Sequence, residues 1–137
     1  MTLSVAHMAQ ADLADDLRQA VSGAVRFDAT SRLLYSTDAS NYQIEPLGVV
    51  IPRDAADVAA AVSVCAQAGV PVLARGAGSS LSGQAIGRAV ILDCSTHLNQ
   101  IEAVDVEARW VRVQPGVVIN TLNALSLIHI SEPTRPY

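Results

Sequence analysis

The stretch RGAGSSLSGQ, residues 75–84, decides how the rest of the chain is read. It follows an apolar, strand-like run, Val70-Pro71-Val72-Leu73-Ala74. One cation, Arg75, opens it and one amide, Gln84, closes it, with Gly76, Ala77, Gly78, Ser79, Ser80 and Gly83 between them. Glycine admits a turn with φ > 0 and lets a ligand approach without meeting a Cβ. Successive backbone N–H groups in such a turn point inward and form an anion-binding concavity. The hydroxyls of Ser79 and Ser80 add donors for phosphate oxygens. A glycine-serine loop after a buried strand suits a pyrophosphate.

Three better-known loops do not fit. A Walker A loop needs G-x-x-x-x-G-K-[ST], and Gln84 and Ala85 stand where the lysine and hydroxyl belong, which excludes an NTPase of that type. A Rossmann turn needs G-x-G-x-x-G, and Gly76-x-Gly78 is followed by Leu81 at the sixth position. A nucleophile elbow, G-x-S-x-G, fails because Ser82 replaces the second glycine. Taken alone, the loop reads equally well as a plain glycine-rich turn.

The surroundings separate these readings. Ile51-Pro52 ends one apolar run, a helical stretch follows, and Gly69-Val70-Pro71 makes a turn. Then come R-G-x-G-[TS]-S-x-x-G at residues 75–83, Leu92-Asp93-Cys94-Ser95 at the end of another apolar run, and Gln114-Pro115-Gly116. In this order and spacing, residues 33–124 resemble the FAD-binding domain of the p-cresol methylhydroxylase / vanillyl-alcohol oxidase (PCMH-type) superfamily. The upstream stretch YSTDASNYQIEPLGVVIPRD, residues 35–54, is similar to one branch, the bacterial D-2-hydroxyacid dehydrogenases that join a flavin domain to an iron–sulfur part.

The resemblance implies an α+β fold: a first subdomain built on a parallel βαβ sheet, and the start of a second, more antiparallel one, with FAD between the two. It implies that Arg75, Gly76, Ala77, Gly78, Ser79, Ser80, Gly83, Gln84, Pro115, Gly116 and Val117 lie along the pyrophosphate and ribityl groups, mostly through backbone. Arg75 either meets phosphate or pairs with a carboxylate to brace the loop. The whole enzyme would oxidise a D-2-hydroxyacid such as lactate, glycolate or 2-hydroxyglutarate by hydride transfer to FAD. Electrons would leave through iron–sulfur clusters, in a part this chain lacks, or through another acceptor. An aldonolactone oxidoreductase, a sugar-nucleotide reductase and a non-catalytic nucleotide-binding module are the rival readings. No catalytic acid or base is expected in this chain, and no metal site.

Composition agrees with a folded domain. At 137 residues the chain is one domain's worth at most, and with half its residues hydrophobic and 16% charged it has enough apolar surface for a core. A net charge of −4 argues against a nucleic-acid footprint, which is basic. No apolar run approaches the roughly 18 residues of a membrane span, and residues 1–10 lack the basic and apolar regions of a secretory signal. Cys65 and Cys94 form neither a disulfide framework nor a metal spacing and read as buried thiols, in keeping with a cytoplasmic protein.

In chain order, residues 9–21 read as an amphipathic helix with Leu13, Leu17, Ala20 and Val21 on its packing face and Gly23 ending it. Residues 1–24 are thus a helical extension in front of the flavin-binding residues 25–124. His7 reads as solvated. Residues 26–45 favour turns and short capped pieces, and by the resemblance lead toward the flavin. Residues 48–51 are a continuous β-branched run, buried on both faces. Asp54 caps a helix over residues 55–68 that turns Val58, Val62 and Cys65 inward, and Gly69 ends it. The strands at 49–51 and 70–73 are expected to be parallel neighbours. A third strand runs through residues 89–92. Asp93 fits a turn or capping role better than a ribose contact, since no helix precedes it. His97 lies in a polar turn. Residues 101–104 and 110–113 pair as half-exposed strands, and Pro115-Gly116 opens a helix whose N-terminus offers free N–H groups. From Leu125 on, LSLIHISEPTRPY departs from the superfamily pattern and resembles the translation of a transposon-based sequencing adapter. Residues 125–137 are therefore expected to be an artefactual tail on a truncated reading frame, in which His129 and Glu132 have no function.

Overall fold

The structure is a computed structural model that describes the backbone of residues 2–129 and the side chains of residues 10–124. A four-stranded sheet has β1 (Ala24–Arg26), β2 (Gly48–Ile51), β4 (Val90–Asp93) and β3 (Val72–Arg75) in that spatial order. β2, β4 and β3 run parallel, and β1 joins the outer side of β2 antiparallel. A second, two-stranded antiparallel sheet pairs β5 (Ile101–Asp105) with β6 (Trp110–Val113).

All residues of β2 and β4 are buried, as continuous apolar runs require. Alternate side chains point to opposite faces, which divides the core in two. Val50, Val90 and Leu92 pack under α1 (Thr2–Ala20) and α3 (Ala55–Gln67), with Leu13, Leu17, Val21, Ala61 and Cys65. Val49, Ile51 and Ile91 pack on the other face with Tyr35 and Leu73. Truncating a fully buried leucine such as Leu17 to alanine typically costs about 2–5 kcal/mol, so α1 contributes core rather than decoration.

The helix punctuation follows the sequence. The Asp54 carboxylate accepts from the Asp57 N–H at 2.9 Å and caps α3. Gly69, with φ +65°, ends it in the left-handed region. α2 (Ala29–Leu34) is capped in the same way by Asp28, which accepts from the Ser31 N–H at 2.8 Å.

Several expectations need correction. The strands around Val49 and Leu73 share a sheet and a direction but are not neighbours, because β4 lies between them. β4 is buried throughout, whereas β3 is partly exposed, so the more apolar strand takes the centre. Pro71, immediately before β3, has no N–H to give and suits an edge. On α3, Val62 faces out and Ala61 faces in; on α1, Ala14 rather than Ala20 is buried. Gly23 does not cap α1. A Cβ there would lie 2.1 Å from the Ile51 carbonyl oxygen, so its role is close approach to β2. Residues 26–45 hold α2, a short capped piece as expected, and the end of β1, which a reading based on periodicity missed. His7, His129 and Glu132 lie outside the described side chains, as does the tail at 125–137.

Candidate functional site

The glycine loop leaves the carboxyl end of β3, at the partly exposed side of the sheet. Ligands of α/β sheets bind outside these strand ends. Residues 76–85 have no regular structure and turn twice through positive φ, at Gly78 (+68°) and Gly83 (+74°). The N–H groups of Ala77, Gly78, Ser79 and Ser80 donate to no acceptor among the described residues. They form the row of unused donors that an anion-binding turn requires.

The loop is held from within and from the side. Ser80 Oγ accepts from the Ser82 N–H at 3.3 Å and the Gln84 N–H at 3.1 Å. The Ser80 oxygen therefore shapes the loop, while the Ser79 hydroxyl is exposed. Residues 37–42 wrap the outside. The Gly78 carbonyl accepts from the Ala39 N–H at 3.0 Å. Asp38 accepts from the Ser40 N–H at 2.9 Å and the Ala85 N–H at 3.2 Å. The Ser40 hydroxyl, then these amides and the more distant Arg75 charge, outweigh desolvation and hold the Asp38 carboxyl below its ordinary value. Gly83 lies against the Tyr42 ring.

Arg75 points into the protein. Its Nη1 donates to the carbonyls of Thr37 at 2.9 Å, Ala85 at 3.1 Å and Tyr35 at 3.4 Å. Its guanidinium stands 5.2 Å from the centre of the Tyr35 ring. Among the described residues it makes no ion pair, so carbonyls, not a carboxylate, take up the cation. Tyr35 in turn donates to buried Asp93 at 2.5 Å. Burial, then the hydrogen bond to Asp93 and its charge, push the Tyr35 phenol up to about 12. Asp93 also accepts from the Ser95 N–H and hydroxyl at 2.8 and 2.6 Å, which gives it the turn role its position suggested.

The second predicted segment comes to the same place. A Cβ on Gly76 would stand 3.6 Å from the Pro115 carbonyl oxygen, so the loop and the Pro115 turn face each other. The turn offers fewer donors than expected. Proline has none, the Gly116 N–H bonds the Leu98 carbonyl at 2.7 Å, and the Val117 N–H bonds Gln114 at 3.1 Å. Gly116 is a packing glycine, since a Cβ would lie 2.2 Å from the Cys94 carbonyl oxygen. Among the described residues, the N–H groups of Val118, Ile119 and Asn120, at the start of α4 (Ile119–His129), have no acceptor. The positive end of that helix thus points out beside the loop.

Two cradles of unused N–H groups, one at 77–80 and one at 118–120, with glycine where backbone must come close, fit a dinucleotide's phosphates. Tyr35, Asp38 and Asp93 lie in stretches that carry the resemblance, but none was singled out as a site residue, because the partners that join them to the loop and to each other are 40–58 residues away in sequence. Among the described residues no group of three or more His, Cys, Asp or Glu is placed to hold a metal. Cys65 and Cys94 are both buried and free, with burial raising each thiol, and the nearby Asp93 charge raising Cys94 further. No helix among the described residues is long and apolar enough to cross a membrane.

The chain is similar to several known proteins. The D-2-hydroxyglutarate dehydrogenase of Pantoea ananatis is 39% identical over 109 residues, covering 77% of this chain and 11% of that protein. The glycolate oxidase subunit GlcD of Bacillus subtilis is 34% identical over 133 residues, covering 90% of this chain and 28% of that one. The chain thus spans between about a tenth and just over a quarter of these relatives. The solved structure of p-cresol methylhydroxylase with substrate bound superposes with a TM-score of 0.69 over 88% of this chain and 25% of that one, at 17% identity. That likeness establishes the PCMH-type fold. The FAD binding domain family matches residues 46–127, from the proline before β2 to near the end of α4. This match takes in every predicted contact of the loop and of the Pro115 turn, and the chain belongs to the FAD binding domain family.

Proposed function

We propose that this chain is the dinucleotide-holding part of a larger flavoenzyme that oxidises D-2-hydroxyacids. The observation that carries the reading is the row of unused N–H groups at 77–80, facing the Pro115 turn across Gly76. Gly76, Ala77, Gly78, Ser79 and Ser80 surround the pyrophosphate, with the Ser79 hydroxyl as an added donor. Gly83 and Gln84 close the loop's far end, and Arg75 holds it from beneath. Pro115, Gly116 and Val117 form the opposite wall and aim the donors at the start of α4. Bound FAD supplies the electron acceptance, and the protein supplies binding and orientation. The acid or base that acts on the substrate belongs, in this reading, to another part of the enzyme. Lactate, glycolate and 2-hydroxyglutarate are the substrate candidates, the last two in line with the relatives' names. Iron–sulfur clusters, if the electrons leave that way, also lie outside this chain.

Residues 25–124 form the flavin-binding unit, residues 1–24 a helical extension packed on it, and residues 125–137 a tail without function. The cytoplasm is the compartment in keeping with two free, buried thiols. The test is a flavin spectrum of the protein at the length of its relatives, followed by anaerobic addition of D- and L-2-hydroxyacids. Bleaching by a D-2-hydroxyacid is expected. Bleaching only by an aldonolactone or a reduced nicotinamide would replace the substrate class, and failure to take up FAD would end the flavoenzyme reading.

A further inference from the structure

We propose that Arg75, Tyr35 and Asp93 form a brace that shapes the glycine loop before any ligand arrives, Arg75 being a positioning residue rather than a phosphate ligand. The proposal rests on the flavin reading only for the identity of the ligand.

The loop has reason to need a brace. Residues 76–85 contain three glycines, whose backbone freedom is the largest of any residue. A loop ordered only on binding would subtract its ordering cost from the affinity. Arg75 is the last residue of β3, in register with Asp93 on β4. Its Nη1 reaches carbonyls at both ends of the site, Thr37 on the wrapping segment and Ala85 at the loop's exit. A planar guanidinium with fixed donors suits several carbonyls at once better than a flexible ammonium does. Tyr35 supports the guanidinium from its ring face, and Asp93, tied to Ser95, holds the Tyr35 hydroxyl. The brace fills the space beneath the turn, since a Cβ on Gly78 would lie 2.5 Å from Arg75 Nη2. The guanidinium therefore lies under the loop, with its Nη1 committed to carbonyls, and the backbone amides are left for the anion.

Tyr35→Phe is the decisive variant, because it removes one hydroxyl and changes no charge facing the loop. Arg75→Lys keeps the charge and loses the fork. In the flavin-free protein at the length of its relatives, both are expected to speed hydrogen exchange at the amides of Ser82 and Gln84, which bond to Ser80 within the loop, and of Ala85, which bonds Asp38 on the wrapping segment. Both should weaken FAD binding about tenfold, as a fall in the competent loop population to a tenth would, with its ionic-strength dependence unchanged. Unchanged exchange and affinity in Tyr35→Phe overturn the proposal, whether or not Arg75→Lys folds. So does an Arg75→Lys protein that binds FAD like the wild type. If the wild type takes up no flavin while exchange still quickens in Tyr35→Phe, the brace stands and the flavin reading falls.

Discussion

Gly78→Ala and Gly69→Ala form a matched pair that measures how firmly the Arg75 guanidinium is held. Both glycines sit at nearly the same left-handed φ, +68° and +65°. A Cβ at that φ costs about 1–2 kcal/mol in either place. The surroundings differ. Nothing lies within 4 Å of a Cβ at Gly69, whereas a Cβ at Gly78 would stand 2.5 Å from Arg75 Nη2 and 2.8 Å from its Cζ. The guanidinium must then move and release the carbonyls of Thr37 and Ala85. Each such bond from a charged donor is worth about 1.5–3 kcal/mol. Arg75 is half-buried and regains water as it swings out, so about one bond's worth, ~2 kcal/mol, is the expected excess of Gly78→Ala over Gly69→Ala. Urea denaturation of the two variants and the wild type at neutral pH reads it directly. Equal losses for the two variants would refute the reasoning, because they would mean that the guanidinium is free to step aside.

Three further outcomes are expected. Asp57 is 5% exposed; burial pushes its carboxyl up, but the N–H groups of Arg53 and Ser22, the Ser22 hydroxyl and the Gly23 N–H together hold it below the usual value. A lowered folded-state pKa means stability that is present above the unfolded value and lost as pH falls through the folded one. Asp57→Asn should therefore cost about 1–3 kcal/mol at pH 7 and flatten the acid limb of a stability–pH curve, and an unchanged acid limb would contradict this. Tyr35 has the opposite sign: its phenol rises from 10.0 to about 12, so its contribution is complete below 10.0 and lost as pH climbs through that window. Thermal melts should show an alkaline loss that Tyr35→Phe removes, and its persistence in the variant would assign the loss elsewhere. Deleting residues 125–137 should leave the melting temperature nearly unchanged; a loss of several kcal/mol, the scale of removing core apolar burial, would show the tail to be structure.

Much of this protein is local, and local features are legible in its sequence. The run Gly48-Val49-Val50-Ile51 is buried on both faces because it is apolar throughout, with no polar side chain to turn to water. Asp54 and Gly69 bound α3 because a side-chain oxygen and a missing Cβ act within one turn. The glycine loop's turns were legible because φ > 0 at Gly78 and Gly83 is a backbone property of its own residues. Tertiary structure alone decided the rest. The strands at Val49 and Leu73 are similar apolar runs, and only the competition for the most buried place inserts β4 between them. Pro115, Gly116 and Val117 reach the site, but the Leu98 carbonyl, 18 residues upstream of Gly116, takes the N–H that the sequence left free. Arg75 offered two partners on paper, a phosphate or a carboxylate, and the fold presents it with carbonyls. A guanidinium goes where buried acceptors converge, and these acceptors come from residues 35, 37 and 85, which meet only once the sheet has formed.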